Sequence, residues 1–374
     1  MINRTLKDQI LSNFQKGKII ILSGPRQVGK TTLSRKIASE SGMKTLWLNG
    51  DEPDIRESLT NVTSTQLKTV IGNHDLIVID EAQRITNIGM TLKLIVDQIT
   101  HIQVIATGSS SFELANQINE PLTGRKFEYF LFPLSYNELM NHFGTIEERR
   151  YLEHRLVFGS YPEVINHPGD EANILRSLSD SYLYKDILSF EQLKKPAILD
   201  KLLQALAIQV GNQVSYHELG QLVGADNQTV ERYITLLEKS YVVFRLTAFS
   251  RNLRNELKKS RKIYFYDNGI RNAIIKNYSP IGLRTDTGAL WENYLMSERM
   301  KINHYSNRWS NTYFWRTLAK QEIDYVEERE GKLFAYEFKW NPQKQVRFSS
   351  TFLNAYPQAE TQTISKNNYS DFLS

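Results

Sequence analysis

The segment GPRQVGKTT, residues 24–32, constrains the fold of this chain more than any other part of the sequence. It contains the full pattern G-x-x-x-x-G-K-[ST], follows the apolar run KIIILSG at 18–24, and precedes a stretch with helical spacing. Glycines in such a loop let backbone N–H groups wrap phosphates, and the N-terminus of the next helix favours negative charge. We therefore predict an ATP site in which Lys30 reaches the β- and γ-phosphates and Thr31 ligates Mg²⁺.

A second motif, LIVIDEAQ at 76–83, is expected to complete this site. Asp80 ends its apolar run and is expected to hold Mg²⁺ through water, while Glu81 is the candidate base that orients the attacking water. In VIATGSSS, Thr107 and Ser109 end the next predicted strand, where a polar group can sense the γ-phosphate; a serine-rich loop without that role is the alternative. The predicted nucleotide-binding residues are Gly24, Pro25, Arg26, Gln27, Val28, Gly29, Lys30, Thr31, Thr32 and Ser109.

Arg125, in LTGRKFEYF at 122–130, is a further candidate for catalysis. An arginine before the last strand can stabilise transition-state charge as an arginine finger or as a sensor in the same chain. A surface arginine without a catalytic role is the alternative. If Arg125 acts on a neighbouring subunit, a homo-oligomer is required; if it acts within its own chain, a monomer suffices.

The first half of the chain alternates apolar runs with helical patterns, which predicts an α/β fold with a parallel sheet. Four strands are predicted at 18–24, 44–50, 75–80 and 101–108, and a fifth at 127–135 completes the sheet. The run at 44–50, between the two motifs along the chain, implies a further strand between the two motif strands. That arrangement is typical of the additional-strand P-loop NTPases.

The region 200–275 predicts three helices followed by two strands, the pattern of a winged helix-turn-helix. Ser215-x-x-Glu218 is a capping-box signature for its second helix. The basic segment 251–262 lies between the strands and is expected to contact a phosphate backbone; a lid on the nucleotide site or a protein-docking role is the alternative. The outward side of the third helix is predicted to offer Asn227, Gln228, Glu231 and Arg232.

Near the C-terminus, EIDYVEEREGKLFAYEFKW at 322–340 predicts a hairpin with charged groups aligned across its turn. By the period of two, Asp324 lies opposite Glu337, and Lys339 shares the face of Glu337. Carboxylates that converge on Mg²⁺, with a lysine to stabilise charge, are what phosphodiester cleavage needs. We predict Asp324 and Glu337 as metal ligands and Glu337 and Lys339 as catalytic; charges that serve solubility alone are the alternative. Glu292, in the predicted helix TGALWENYL, is a further predicted metal ligand, because it resembles the position from which nuclease folds of this type supply another acid.

The motifs GPRQVGKT, DEAQR, TGSSS, LTGR, FPLSYNEL and GSYPEV resemble, in the same order, those of a prokaryotic family of AAA-like P-loop ATPases. Those proteins carry a C-terminal domain of unknown function similar to PD-(D/E)XK nucleases. The resemblance implies an AAA-like ATPase domain, predicted at 1–165, and an α/β nuclease-like domain, predicted at 281–374. Between them, the residue pattern predicts a helical linker and winged helix at 166–280. The chain departs from the family at Gly159-Ser160, where Gly-Gly is usual.

Net charge, the absence of cysteine and the lack of long apolar runs restrict the partners, metal sites and location expected for this protein. The net charge of +5 and the pI near 9.0 favour an acidic partner such as DNA. Without cysteine, disulfides and cysteine-ligated zinc are excluded, and no apolar run approaches the roughly 18 residues of a membrane span. We expect a cytoplasmic, Mg²⁺-dependent ATPase that acts on or near DNA and contacts no membrane. The alternatives are a nucleotide-dependent switch or scaffold that binds a protein partner without cleavage, and an ATP-gated nuclease.

Overall fold

The computed structural model of the chain describes residues 2–108, 118–190, 196–250, 261–344 and 346–374. They form two compact units. The first comprises Met1–Leu134 with Lys239–Tyr241, and the second comprises Ser135–Glu238 with Val242–Ser374. The division into three domains at 165 and 280 stays a prediction.

The first unit is built on a five-stranded, all-parallel sheet, as the alternation of apolar runs and helical patterns predicts. Its strands are β1 (Ile19–Ser23), β2 (Thr45–Asn49), β3 (Leu76–Asp80), β4 (Gln103–Gly108) and β5 (Lys126–Phe130). Its helices are α1 (Leu6–Leu11), α2 (Lys30–Ser41), α3 (Pro53–Leu59), α4 (Ser64–Ile71) and α5 (Ile88–Gln98). Buried residues such as Ile21, Ile79 and Leu92 share its core, because strands covered by helices bury apolar side chains.

The strand order in this sheet is β2-β3-β4-β1-β5. One strand does separate the motif strands β1 and β3, but it is β4; the prediction that the run at 44–50 takes that place is wrong. β2 pairs with β3 alone and lies at the sheet edge. Order along the chain does not fix order in a parallel sheet, because each crossover helix can return the chain to either side of the strands already placed.

The second unit begins with a run of helices. These are α6 (Tyr136–Phe143), α7 (Thr145–Arg150), α8 (Leu152–Phe158), α9 (Pro162–Asn166), α10 (Glu171–Phe190), α11 (Pro196–Ile208), α12 (Tyr216–Val223) and α13 (Asn227–Lys239). The Ser215 side chain caps α12 by accepting from the Glu218 N–H at 3.4 Å. Within the part of the chain that is described, no helix is both long enough and apolar enough to cross a bilayer.

A seven-stranded sheet forms the rest of this unit, in the order β12-β11-β10-β9-β7-β8-β6. Its strands are β6 (Gln213–Val214), β7 (Val243–Ala248), β8 (Arg261–Phe265), β9 (Asn311–Arg316), β10 (Glu322–Arg329), β11 (Lys332–Phe338) and β12 (Glu360–Ile364). The helices are α14 (Asn268–Ile274), α15 (Thr287–Tyr305), α16 (Ser350–Ala355) and α17 (Tyr369–Phe372). Parallel pairing of β7 with β9 joins the strands of the winged-helix region to those of the hairpin region in one sheet.

The hairpin of β10 and β11 differs from its predicted alternation at one residue. Tyr325 and Phe338 lie in the large core of the unit, whereas Ile323 packs in a separate cluster with Val326 and Ala335. A strict period of two would place Ile323 on the face of Tyr325, and the structure departs from it. The register with β9 shifts between Ile323 and Val326, and such an irregularity moves a side chain to the other face.

Candidate functional site

The predicted phosphate loop lies between the end of β1 and the start of α2. The Leu131 N–H donates to the Ser23 carbonyl at 2.8 Å, which brings the chain after β5 against the start of the loop. A Cβ on Gly24 would stand 2.2 Å from the Leu131 carbonyl oxygen, and Gly24 has a φ of +147°. Only glycine fits this position, because a side chain would overlap the Leu131 carbonyl and the positive φ disfavours any residue with a Cβ.

Lys30 is buried at the first position of α2, where its ammonium stays inside the loop. The Nζ donates to the carbonyls of Gly24 at 2.9 Å and Pro25 at 2.7 Å. Gly29, with a φ of +95°, precedes the helix and turns the chain into it. The positive charge therefore lies beside the backbone that the motif predicts to wrap phosphates.

Thr31 and Asp80 meet at the carboxyl ends of the motif strands. The Thr31 hydroxyl donates to Asp80 Oδ2 at 2.7 Å, and the Thr107 hydroxyl donates to the other carboxylate oxygen. Because Thr31 gives its proton to Asp80, the lone pairs of its oxygen remain available to a cation. Hydroxyl and carboxylate oxygens are ligands that Mg²⁺ prefers, so this pair fits the predicted ion.

Of the two residues predicted to sense the γ-phosphate, the structure describes Thr107. Thr107 is fully buried, and its hydroxyl contacts Asp80 and accepts from the Glu81 N–H at 3.3 Å. It thus positions the two acidic residues in this structure. Ser109 lies outside the described residues.

Glu81 follows β3 in a left-handed backbone conformation, with a φ of +50°. Its carboxylate accepts a hydrogen bond from Gln83 Nε2 at 2.5 Å. A Cβ on Gly50 would stand 2.5 Å from the Glu81 carbonyl oxygen, so the neighbouring strand end must also be glycine. Sequence reasoning missed Gln83, although the motif DEAQ contains it.

Arg125 does not lie at the phosphate loop of its own chain. Its carbonyl accepts from the Ile19 N–H at 2.9 Å, at the start of β1, whereas the loop follows Ser23 at the strand's end. Five residues of strand separate these edges by about 17 Å. The guanidinium pairs instead with Asp97 at 2.7 Å. The role as a sensor in the same chain is therefore not supported. β1 and β5 run parallel, so the loop before β5, which carries Arg125, and the phosphate loop after β1 lie at opposite edges of the sheet.

Arg4, which the sequence motifs did not indicate, donates hydrogen bonds to the phosphate loop and to the segment after β5. Arg4 donates to the carbonyls of Val28 at 2.8 Å and Phe132 at 2.5 Å. It thereby links the phosphate loop to the segment that follows β5. No signal in the sequence pattern points to it, since it precedes α1 and belongs to no motif.

An open cavity of about 730 Å³ adjoins Thr31 and Asp80 on the β2 side of the loop. Arg35, Trp47 and Glu52 are among the residues that line it. The volume is within the range of small-molecule sites.

The predicted C-terminal site contains a buried lysine that sequence reasoning did not assign to it. Lys262, on β8, is 1% exposed. Its Nζ donates to Glu292 Oε1 at 3.0 Å and pairs with Glu322 at 2.6 Å. The Tyr264 hydroxyl donates to the same Glu292 oxygen at 2.6 Å. Burial by itself lowers the pKa of Lys262, but the surrounding carboxylates outweigh it and raise the pKa, so the amine is charged.

The hairpin aligns Asp324, Glu337 and Lys339 as its sequence pattern predicts. The β10–β11 register, continued one residue beyond the Tyr325–Tyr336 pair, places Asp324 opposite Glu337. Lys339 Nζ lies 2.7 Å from Glu337 Oε2 and 3.3 Å from Asp324 Oδ2, and the latter oxygen also accepts from the Phe338 N–H at 2.8 Å. Burial and the charge of Asp324 raise the pKa of Glu337 to about 7.

The carboxylates Glu292, Asp324 and Glu337 are the predicted ligands of a metal ion. Across the described ranges, no three Asp, Glu or His side chains are grouped so that they could hold a metal ion. Glu292, Asp324 and Glu337 each bond to a lysine. The residues present therefore do not fit the predicted ion.

The basic segment 251–262 lies mostly outside the described residues, which begin again at 261. Arg261 donates to the Tyr216 hydroxyl at 2.7 Å and pairs with Glu231 at 3.3 Å. The prediction that Lys262 contacts a phosphate backbone is wrong, because its amine is buried among carboxylates. On α13, the outward residues are exposed as predicted: Asn227, Gln228, Glu231 and Arg232.

The Gly159-Ser160 turn, where the chain departs from the resembling family, is built around Asp267. The Ser160 N–H and hydroxyl both donate to Asp267 Oδ2, at 2.8 and 3.3 Å. A Cβ on Gly159 would stand 2.0 Å from Asp267 Oδ1, so the first position requires glycine. Serine is accommodated at the second because its hydroxyl gains a partner.

Three family models match successive parts of the chain. Residues 16–140 match a model described as AAA domain. Residues 149–281 and 287–371 match two models described as domains of unknown function, DUF8612 and DUF4143.

Curated relatives cover most of the chain. An uncharacterized protein of Mycobacterium tuberculosis is 26% identical over 328 residues, 87% of this chain and 70% of the relative. One of Methanocaldococcus jannaschii is 22% identical over 357 residues, 89% of this chain and 76% of the relative.

Solved structures that match include a Walker-type ATPase of Pyrococcus abyssi, with a TM-score of 0.48 and 16% identity over 74% of this chain and 96% of that one. The RuvB Holliday junction branch migration motor of Thermotoga maritima matches with a TM-score of 0.35 and 16% identity, over 75% and 96% of the two chains. Residues 16–140, which span most of the first unit, are thus similar to AAA domains, and the models that match the remainder have no known function.

Proposed function

We propose that this protein is a Mg²⁺-dependent ATPase that binds ATP at residues 24–32 and hydrolyses it to ADP and phosphate. The observation that carries the proposal is the hydrogen bond of 2.7 Å between the Thr31 hydroxyl and Asp80, with the Lys30 ammonium inside the adjacent loop. A hydroxyl, a carboxylate and an ammonium at the C-terminal edge of a parallel sheet form a site for a nucleotide phosphate and its cation.

Each residue has a role that follows from its chemistry. The Lys30 ammonium exchanges its two carbonyl acceptors for phosphate oxygens, where it offsets developing negative charge. Thr31 and Asp80 would hold Mg²⁺, which supplies further neutralisation of the phosphate charge. Glu81 orients the attacking water once its carboxylate is released from Gln83.

The Gln83–Glu81 hydrogen bond of 2.5 Å favours a second candidate function, a nucleotide-dependent switch with little turnover. A carboxylate oxygen that accepts a hydrogen bond from an amide has fewer lone pairs with which to hold a water molecule. In such a protein, nucleotide binding would alter the affinity for a protein partner and the C-terminal region would not cleave. Binding without hydrolysis distinguishes this candidate from the first.

We also propose that α11–α13 with the strands β6, β7 and β8 act as a winged helix-turn-helix that contacts DNA. Support comes from the three helices followed by antiparallel strands, and from the exposed polar face of α13. Asn, Gln and Arg side chains on one helix face are suited to base edges and phosphates. If Arg125 acts on a neighbouring subunit, the working form is a homo-oligomer.

The proposal is tested by ATP turnover of Lys30→Ala against Lys68→Ala, which removes an exposed lysine of α4 in the same unit. We expect Lys30→Ala to lower turnover by roughly a factor of 100 or more, and Lys68→Ala to leave it unchanged. Rates with and without DNA, and binding of a fluorescent ATP analogue, complete the comparison. Equal turnover in the two variants would refute the ATPase; binding without turnover in the wild type would favour the switch.

A further inference from the structure

Four carboxylates and three cations meet where β8, α15 and the hairpin come together in the second unit. Lys262 lies between Glu292 at 3.0 Å and Glu322 at 2.6 Å, and Glu322 also pairs with Arg316 at 3.1 Å. Lys339 pairs with Asp324 and Glu337 on the other side of the cluster. Every acidic side chain thus has a cationic partner supplied by the chain itself.

Lys262 and Lys339 differ in their freedom to leave the cluster. The Lys339 side chain is 22% exposed, so its amine can swing outward to water. The Lys262 side chain is 2% exposed, and its Nζ lies over the Phe314 ring, 5.5 Å from the centroid. A lysine that is enclosed on all sides cannot move its charge to solvent as surface lysines do.

We infer that Lys262 is a built-in cation that takes the place of a divalent metal ion in this carboxylate cluster. The cluster then joins β8 to α15 and to the hairpin, and it does not bind Mg²⁺ or Mn²⁺. The inference concerns the second unit alone and goes beyond the proposed ATPase. Whether this cluster binds a metal ion does not depend on whether the first unit hydrolyses ATP.

The geometry explains why lysine and metal exclude each other. Mg²⁺ demands about six oxygen ligands near 2.1 Å, whereas Glu292 Oε1 already accepts from both Lys262 and Tyr264. A divalent ion among these carboxylates would face the ammonium at close range in a poorly solvated site, where repulsion between like charges is strong.

The arrangement also has a structural consequence. Lys262 belongs to β8, which pairs with β7 and β6, whereas its partners Glu292 and Glu322 belong to α15 and β10. Removal of the lysine leaves the Glu292 carboxylate without a cationic partner, whereas Glu322 keeps Arg316. An uncompensated carboxylate in a largely buried position is costly unless another cation replaces the lysine. A divalent ion added to a Lys262 variant is such a replacement.

The test uses the full chain with Thr31→Ala, which removes the predicted Mg²⁺ ligand at the phosphate loop, and Mn²⁺ as the probe. Calorimetric titration is performed with this chain and with its Glu292→Gln, Lys262→Met and Lys339→Met derivatives. We expect no Mn²⁺ site that depends on Glu292 in the starting chain. Lys262→Met is expected to gain a Mn²⁺ site that the starting chain lacks, because the ammonium no longer neutralises the Glu292 carboxylate.

Two controls make the result specific. The gained affinity disappears when Glu292→Gln is combined with Lys262→Met, and Lys339→Met, which retains Lys262, gains none. Mn²⁺ binding by the starting chain that Glu292→Gln abolishes would overturn the inference. A Lys262→Met chain that folds but gains no Mn²⁺ affinity would also overturn the inference. If Lys262→Met does not fold, the comparison of the starting chain with Glu292→Gln decides the matter.

Discussion

Substitution of Gly24 by alanine tests whether the contact between the phosphate loop and Leu131 positions the nucleotide site. The added Cβ would stand 2.2 Å from the Leu131 carbonyl oxygen, where about 3.0 Å is the closest ordinary approach. The loop and the chain after β5 must therefore separate by about 0.8 Å. The loop start also carries the carbonyl that accepts from Lys30, so the ammonium moves with it.

The magnitude has two parts. The φ of +147° disfavours any side chain, at a cost of about 1–3 kcal/mol. The overlap with Leu131 adds about 1–3 kcal/mol, as overpacking does in close-packed interiors. A displacement approaching 1 Å at a catalytic group reduces the rate by about 100-fold.

Gly42 provides a matched control. It ends α2 with a φ of +67°, yet nothing lies within 4 Å of an added Cβ. Gly42→Ala therefore bears only the backbone cost, about 1–2 kcal/mol. Urea unfolding measures the stability of both variants, and a fluorescent ATP analogue measures their nucleotide affinity.

We expect Gly42→Ala to bind nucleotide like the wild type. Gly24→Ala is expected to be less stable than Gly42→Ala and to lose at least about tenfold in affinity, the equivalent of 1.4 kcal/mol. Equal nucleotide affinity in the two variants would show that the reasoning from the Leu131 contact is incorrect.

Two further predictions concern the second unit. Burial alone would raise the pKa of Glu327, but two hydrogen bonds from Arg299, at 2.7 and 2.9 Å, lower it to about 2 from the ordinary 4.5. The resulting contribution of about 3 kcal/mol is present above pH 4.5 and lost as the pH falls towards 2. In urea unfolding, the stability difference between wild type and Glu327→Gln should therefore shrink on acidification; a difference that is constant with pH contradicts the assignment. Arg232→Ala, on the exposed face of α13, should weaken DNA binding and lower the slope of log affinity against log salt by about 1, whereas Lys68→Ala should not. Identical gel shifts for the two variants would argue against DNA contact through α13.

The strands and the phosphate loop of the first unit could be predicted from local sequence patterns. The strands fall within two residues of their predicted starts, because apolar runs that end in Gly, Asn or Asp indicate buried parallel strands. Thr31 and Asp80 meet because the ends of parallel strands lie at one edge of the sheet. The hairpin at 322–338 was also predictable except at Ile323, since alternation and a short turn at Glu330-Gly331 set its register.

Sheet order and long-range partners were not predictable in the same way. Arg125 is adjacent to an apolar strand in sequence, yet it lies at the edge away from the loop. Arg4 contacts Val28 and Phe132 across separations of 24 and 128 residues, and no periodicity encodes such contacts. Lys262 belongs by sequence to a basic segment, but its strand carries it into the interior.

The sequence by itself determined the loop, the strand and helix types, and the alignment of Asp324 with Glu337. Each of these depends on neighbours a few residues away or on a single turn. Only the tertiary structure decided which strand separates β1 from β3, and which cation lies among the C-terminal carboxylates. The physical reason is that burial and charge pairing depend on which elements pack together, so a lysine that the sequence places with solvent-exposed charges becomes the buried partner of Glu292 and Glu322.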